Sequence, residues 1–422
     1  MEFVEKYLPI LNVQMKLNRM NIISKLGPGL LFAGAAIGVS HLVQSTRAGA
    51  EFGWGLIWAL ILVNILKYPF FQYGPRYAIA TGESLLDGYY KIGKIYLLAY
   101  FILNLATMFT IQTAVTIVTA GLASSLFGFS DNMVLWSLVI TVFCYIILLI
   151  GKYKLLDRFI KVILIVLAIS TISSTVVASI NIDELPNYNQ IFPVGEGLVF
   201  LIAFMGWMPG PLDISVWHSI WTIEKNKEYK LTKKESIFDF NIGYITTVFL
   251  GICFVSLGAL VMYNSGLSFS SKGDVFAGQL IELYTSNLGS SFYLIISICA
   301  FTTMLSTTIT TLDASPRSMS RALQLLGKSK DKDYYFHWIT ILAVGTMLIF
   351  YFLLSEMGLL IEIATILSFI TAPFYAILNY RLVTSKNMPD IHKPSKRLSL
   401  LSIIGIIFLT LFAVGYVLSR FI

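Results

Sequence analysis

One membrane-helix motif is written twice in this chain. Gly27-Pro28-Gly29-Leu30-Leu31-Phe32-Ala33-Gly34-Ala35-Ala36-Ile37-Gly38 returns as Gly195-Glu196-Gly197-Leu198-Val199-Phe200-Leu201-Ile202-Ala203-Phe204-Met205-Gly206. The copies share Gly, Gly, Leu, Phe, Ala and Gly in one register without a gap. Each then runs into residues that fit a straight helix poorly: Val39-Ser40-His41 in the first, Trp207-Met208-Pro209-Gly210-Pro211 in the second. Proline lacks the backbone donor and clashes with the preceding turn. Backbone groups freed at such a break cannot face lipid, so they line a cavity or a ligand. Two apolar segments interrupted at matching places point to the binding site of a secondary transporter. Small residues also recur in membrane helices for packing alone; here the two breaks coincide as well.

Composition narrows the fold to an integral membrane protein. Hydrophobic residues make up 56% and charged residues 13%, against roughly 25% charged in soluble domains. The formal charge of +7 lies in loops between apolar runs, where it sets topology and does not bind phosphates, so no nucleic-acid partner is expected. Cys144, Cys253 and Cys299 lie singly inside apolar runs, without disulfide or metal spacing. Residues 1–26 are basic and mildly amphipathic, and read as a cytoplasmic arm lying at the membrane interface, without the features of a cleaved signal.

Apolar stretches near the ~20 residues needed to cross fall at about 27–52, 54–81, 95–127, 133–151, 155–181, 196–222, 239–263, 289–315, 334–354, 358–380 and 399–419. One set of alternate loops carries nearly all the Lys and Arg, including Lys91, Lys152, Lys233, Arg321 and Lys393; the other carries mainly Asp131, Asp183, Glu184, Asp274 and Glu356. That asymmetry puts the N-terminus in the cytoplasm and the C-terminus outside a plasma (inner) membrane. The motif copies then enter from opposite sides. The expected organisation is an all-α bundle of about eleven spans: a five-helix repeat over 27–181, its inverted counterpart over 182–380, and a cytoplasmic loop plus eleventh helix over 381–422. There is no G-x-x-x-x-G-K-[ST] loop, no H-E-x-x-H, no C-x-x-C and no nucleophile motif. Neither an enzyme nor a cofactor is expected.

The chain resembles the NRAMP metal-ion transporters, which have the LeuT-type inverted-repeat fold. Gly27-Pro28-Gly29 and Ala48-Gly49-Ala50 are similar to that family's first span. Trp58, Asn64 and Arg76-Tyr77-Ala78-Ile79-Ala80-Thr81-Gly82 are similar to its second, Met208-Pro209 and His218-Ser219 to its sixth, Ser306-Thr307-Thr308-Ile309-Thr310 to its eighth, and Pro373-Phe374 to its tenth. The resemblance implies a secondary transporter of divalent cations. The ligand motif departs from it. Where the family has Asp-Pro-Gly-Asn this chain has Gly38-Val39-Ser40-His41, and the third-span acids are missing near Phe109-Thr110-Ile111-Gln112-Thr113-Ala114. Its tenth-span Gln falls near Ala364-Thr365. Proton-coupled uptake of manganese or iron is thereby in question residue by residue.

The candidate substrate site comprises Gly38, Val39, Ser40, His41, Gly206, Trp207, Met208 and Asp213. His41, Met208 and Asp213 are the candidate replacement metal ligands. Asp213, just past the second break, is an intramembrane acid or a cap on the following half-helix. His41 is a transition-metal ligand or a core histidine satisfied by a carbonyl. Lys67 lies ~20 Å into span 2 at 1.5 Å per residue, where a bare ammonium costs ~2.5–3.5 kcal/mol. Pairing with Asp213 or Glu362 would relieve that cost. Such a lysine acts as a fixed charge replacing a coupling ion or binding an anionic group, or as a structural tie. Thr307 and Thr308 belong to a hydroxyl run that the resemblance makes a sodium site; hydroxyls bonded to their own helix are the plainer reading. The segment 275–288 reads as an outer amphipathic stretch.

Three functions fit these residues. The first is NRAMP-like symport of a divalent metal by alternating access, with altered or absent proton coupling and Na+ or H+ as possible partner ion. The second is the same machine carrying a small organic or anionic solute, which Lys67 and the lost acids favour. The third is a receptor or sensor that binds without translocating. Lipid is the remaining partner.

Overall fold

The computed structural model describes residues 26–180, 188–263, 278–279, 281, 289, 291, 293–327, 332–353 and 366–419. Among them every regular element is helical. The order is α1 (Pro28–Ala36), a wide π-helical turn (Ser40–Ser45), α2 (Thr46–Phe52), α3 (Ile57–Thr81), α4 (Leu85–Ile92), α5 (Lys94–Phe127) and α6 (Met133–Ile180). It continues with α7 (Glu196–Trp207), α8 (Ile214–Glu228), α9 (Lys233–Met262), α10 (Tyr293–Leu326), α11 (Tyr335–Leu353), α12 (Ala372–Val383) and α13 (Lys396–Ser419). Among the described residues, eight helices are long and apolar enough to cross a membrane, or nine with α1 and the stretch Ser40–Phe52 taken as one span bent by 51°.

The interior holds a large apolar core, but the exterior is apolar as well and polar groups lie inside. Large apolar side chains such as Ile65, Ile102, Val139, Ile165 and Leu411 point outward, while Gln112, Thr119, Thr308, Asp313 and Lys67 are inside. Lipid explains both faces, since it accepts apolar side chains and offers no hydrogen bonds.

Two groups of helices can be followed in the packing. In the first, α9 packs on α1, α2 and α3, and α8 packs on α1 and α3; in the second, α5, α6, α10 and α11 all pack on one another; α1 and α9 join the two through α6, and α1 also through α10. Within the first group glycines let backbones touch. A side chain at Gly29 would overlap the Asp239 carbonyl, and one at Gly243 would overlap the Gly29 carbonyl. Gly49 and Gly258 meet Val255 and Thr46 in the same way. Both halves of the first broken span are therefore pressed onto α9, by the close approach that small residues permit. Gly74 fits α3 against Ser215 of α8 likewise.

The spans expected at 133–151 and 155–181 are both present within α6, as Met133–Gly151 and Tyr153–Ile180, each long and apolar enough to cross. Two sequence expectations need correction. Helix α4 was not anticipated; its eight residues are too few to cross, and a capping box of Ser84 and Asp87 starts it. Helix α10 runs to Leu326, past the expected end at 315, because Arg317 is held by Asp313 one turn back at 2.7 Å. Arg47 and Glu51 form the expected local pair at 3.1 Å, and the three cysteines are buried and free. Almost all of 275–288, residues 1–25, and Glu362 lie outside the described residues.

Candidate functional site

The site is built on two interruptions. In the first span the Ile37 amide makes the last α-type bond, to Ala33 at 2.8 Å. Gly38 N then turns back to Ala36 at 3.1 Å, and the helix restarts with Leu42 N on Gly38 at 2.9 Å. The carbonyls of Gly34 and Ile37 are thereby released from the helix ladder. In the sixth expected span α7 ends as Met208 N reaches Phe204 at 3.1 Å. Pro209 and Pro211 bring no donors, and α8 restarts from Pro211 and Asp213.

The breaks meet. The Ser40 hydroxyl lies 3.3 Å from the Pro209 carbonyl, 2.8 Å from the Ala36 carbonyl and 2.8 Å from Nδ1 of His41. Ser45 Oγ lies 3.5 Å from Sδ of Met208. Beside this junction is a cavity of about 50 Å³, walled by Gly38, Val39, Ser40, Trp207, Pro211 and Trp217, with Ile111, Ala114 and Val115 of α5 and Thr307 and Thr311 of α10. It adjoins both helix groups. A volume of this size holds an ion with one or two waters, whereas a site for an ordinary organic ligand is ~300 Å³ or more.

Each candidate residue has a definite place. Gly38 is pressed on Thr307, where a methyl group would overlap Oγ1 and stand 2.9 Å from Cγ2. Val39 and Trp207 line the cavity, and Trp207 Nε1 is buried without a partner. Gly206 backs onto Phe369. His41 is fully buried, with Nε2 at 3.0 Å from the Thr247 carbonyl and Nδ1 on Ser40, so both ring nitrogens are occupied. Met208 lies in an apolar cluster with Leu60, Val63, Phe204 and Val255. Met208 and His41 approach each other across Gly251: a Cβ there would be 2.9 Å from Met208 Cε and 3.6 Å from His41 Cδ2. Asp213 precedes α8 without capping it through its side chain, and its Oδ1 has no partner. Its electrostatic neighbours are Tyr89, Tyr100 and Tyr375. No group of three or more His, Cys, Asp or Glu converges among the described residues.

Lys67 does not pair with Asp213. Its ammonium donates to the carbonyls of Met205 at 3.1 Å, Met208 at 2.8 Å, and Gly206. Three N–H bonds meet three acceptors, so no donor remains for a carboxylate. The physical reason is the helix end: α7 leaves its last carbonyls open, and a cation suits the negative end of its dipole. Thr307 and Thr308 part company. Thr307 Oγ1 is 2.9 Å from the Ile37 carbonyl and 3.1 Å from that of Gly34, and Ser306 Oγ is also 3.1 Å from Gly34. Thr308 turns to α5, with Oγ1 2.7 Å from that of Thr119. Beside it Thr311 donates to Gln112 Oε1 at 2.6 Å.

Sequence reading missed Asp239. Its two oxygens accept from the amides of Gly27 at 2.9 Å and Gly29 at 2.7 Å, capping α1 from α9. A carboxylate opening an apolar run was its only signal. Outside the membrane, the Asp390–His392 turn is held by Arg76, which donates to the His392 carbonyl at 3.0 Å, and by Lys233, which donates to that of Ile391. Burial, then Lys233 and Arg76, push the His392 imidazole below its ordinary value. Lys393 holds the Asp390 carboxyl below the usual range by hydrogen bond and charge.

Comparison with known proteins gives five matches. The sequence model described as natural resistance-associated macrophage protein-like matches residues 29–419. An uncharacterized protein of Pasteurella multocida (strain Pm70) is 36% identical over 399 residues, spanning 93% of this chain and 91% of its own. A divalent metal cation transporter, MntH of Staphylococcus aureus (strain MRSA252), is 22% identical over 63% of this chain and 60% of its own. Among solved structures, the Eremococcus coleocola manganese transporter in complex with an aromatic bis-isothiourea compound superimposes with TM-score 0.73 at 12% identity, covering 93% of this chain and 85% of its own. A nucleobase-cation-symport-1 family transporter, closed with bromovinylhydantoin bound, gives 0.60 at 13% identity, covering 93% and 91%.

Proposed function

This chain belongs to the natural resistance-associated macrophage protein-like (Nramp) family, and from that premise we propose that it carries a divalent metal cation by alternating access, through ligands unlike the family's usual set. Membership makes it a multi-pass membrane transporter and not an enzyme. In the proposed mechanism α1, α2, α3, α7, α8 and α9 rock against α5, α6, α10 and α11, opening the cavity alternately to either face. The arrangement is a five-plus-five inverted repeat with an eleventh span, N-terminus in the cytoplasm and C-terminus outside a plasma membrane. The cation sits at the junction of the breaks, near Ser40, the Ala36 and Pro209 carbonyls and His41, where it takes over contacts now made by one hydroxyl proton. Met208 lies beside His41, and Asp213 supplies charge from the start of α8. The oxygens of Gly34, Ile37, Ser306 and Thr307 seat a coupling sodium ion. Gln112, Thr116 and Thr119 offer no acid for a proton along α5.

The observation carrying this reading is the meeting of the two breaks, Ser40 to Pro209 at 3.3 Å, beside a cavity of ion size. Reconstitution in liposomes tests it. Manganese, magnesium or calcium uptake is expected, accelerated by an inward sodium gradient and little changed by a proton gradient. Failure of all three ions under every gradient eliminates the metal reading.

A second reading, transport of a small organic solute, is favoured by the walls of the cavity. Trp207, Trp217, Ile111, Ala114 and Val115 are apolar, and His41 has both nitrogens engaged. A thermal-shift panel of organic solutes separates the two, since a ligand selective for the native state raises the melting temperature.

A further inference from the structure

We propose that the carbonyl cluster closing α7 is a cation site which the chain fills with its own Lys67 ammonium, so that cargo makes no use of the oxygens of that half-helix. Lys67 is 1% exposed. Among the described residues no carboxylate stands within ion-pair distance of it, and its neighbours at Nζ are the carbonyls of Met205, Gly206 and Met208. An unpaired charge is expensive to bury. What balances it here is what balances a bound alkali ion at an interrupted helix: converging carbonyl oxygens at the C-terminal, negative end of a half-helix. The lysine stem arrives from α3, a different span, so the ammonium stands in this cluster as a tethered ion would.

The two breaks then have different occupants. At the α1 break the Gly34 and Ile37 carbonyls accept, among the described residues, from the neutral hydroxyls of Ser306 and Thr307, which an exchangeable cation can displace from those oxygens. At the α7 break the charge is built in and cannot leave. The ligand class for the α7 cluster, once the side chain is shortened, is a small alkali cation or a primary ammonium ion. This deepens the transport reading by confining exchangeable cations to the α1 side, but its test reads stability alone.

The test uses full-length protein in detergent carrying Thr307→Val, which removes the other oxygen cluster's hydroxyl from play. Lys67→Ala is added to that background, and melting temperature is followed against lithium, sodium, potassium and methylammonium chloride at constant ionic strength made up with choline chloride. The expected result is a lowered melting temperature in choline. At least one of the small cations restores it saturably, by half the loss or more, with no such response in the Thr307→Val parent. Lys67→Met, whose apolar chain fills the cluster, is expected to remain low in every salt. If the alanine variant is recovered only poorly, the yield of monodisperse protein purified in each salt is the readout, with the same ordering expected. An alanine variant that answers to no cation, or a methionine variant as stable as the parent, overturns the proposal. Neither result depends on liposome uptake, so a failure here leaves the transport reading standing on its own test.

Discussion

Replacing Asp239 by asparagine would loosen α1 at its N-terminus. The carboxylate accepts from Gly27 N at 2.9 Å and Gly29 N at 2.7 Å, one oxygen to each donor. Pro28 has no N–H, so these amides are the chief exposed donors of the first turn. An amide side chain offers one acceptor; its NH2 group meets the other donor head-on. One charge-assisted bond is lost, ~1.5–3 kcal/mol, and so is the negative charge at a helix N-terminus, ~0.3–1 kcal/mol. Together these weaken the hold by about 2–4 kcal/mol. At about 1.4 kcal/mol per factor of ten, the released population of α1 rises roughly 30- to 700-fold. Helix α9 keeps its own start, because Thr232 and Glu235 cap it independently, so the change acts on α1. Hydrogen–deuterium exchange with mass spectrometry reads it directly. Peptides from residues 27–36 should exchange faster by that factor, with residues 46–52 and α10 unchanged. Exchange of α1 within about threefold of the parent would refute the argument, and would mean that the Gly29–Gly243 backbone contact holds the half-helix alone.

Gly38→Ala should displace Thr307, whose Cγ2 would be 2.9 Å from the new methyl, at an overpacking cost of ~1–3 kcal/mol. Sodium-dependent stabilisation should vanish in it as in Thr307→Val; a parent-like sodium response of the melting temperature would show that the hydroxyl's position is not critical. For His392 the sign follows from its lowered folded value. The unfolded chain binds the proton more readily, at its ordinary value near 6.5. Stability is therefore complete above that pH and declines as pH falls through it. His392→Gln should flatten the fall in melting temperature between about pH 7.5 and 5.5, and an unchanged slope would assign the acid sensitivity elsewhere.

How much of the site could be read from residues depended on the range of the interaction. The breaks were legible because their causes are local: proline without a donor, glycine and serine inside an apolar run. The partners were not. Lys67 was expected on Asp213 or Glu362; it is found not on Asp213 but on carbonyls 138 to 141 residues away, and Glu362 lies outside the described residues. Asp239 lies 212 residues from Gly27. Adjacent hydroxyls on one helix face different neighbours because each residue turns the helix by about 100°. Thr307 thus meets α1 while Thr308 meets α5. His41 kept its predicted position beside the break, yet Thr247 and Ser40 claim both nitrogens.

The amino-acid order alone therefore determined that this chain lives in lipid and where two of its helices must come apart, because solvation and backbone hydrogen bonding are settled within a few residues. Which groups close those openings was decided only by tertiary structure. A freed carbonyl or amide accepts any donor or acceptor of suitable sign that packing delivers to it, and packing brought a lysine amine to one helix end and an aspartate to another.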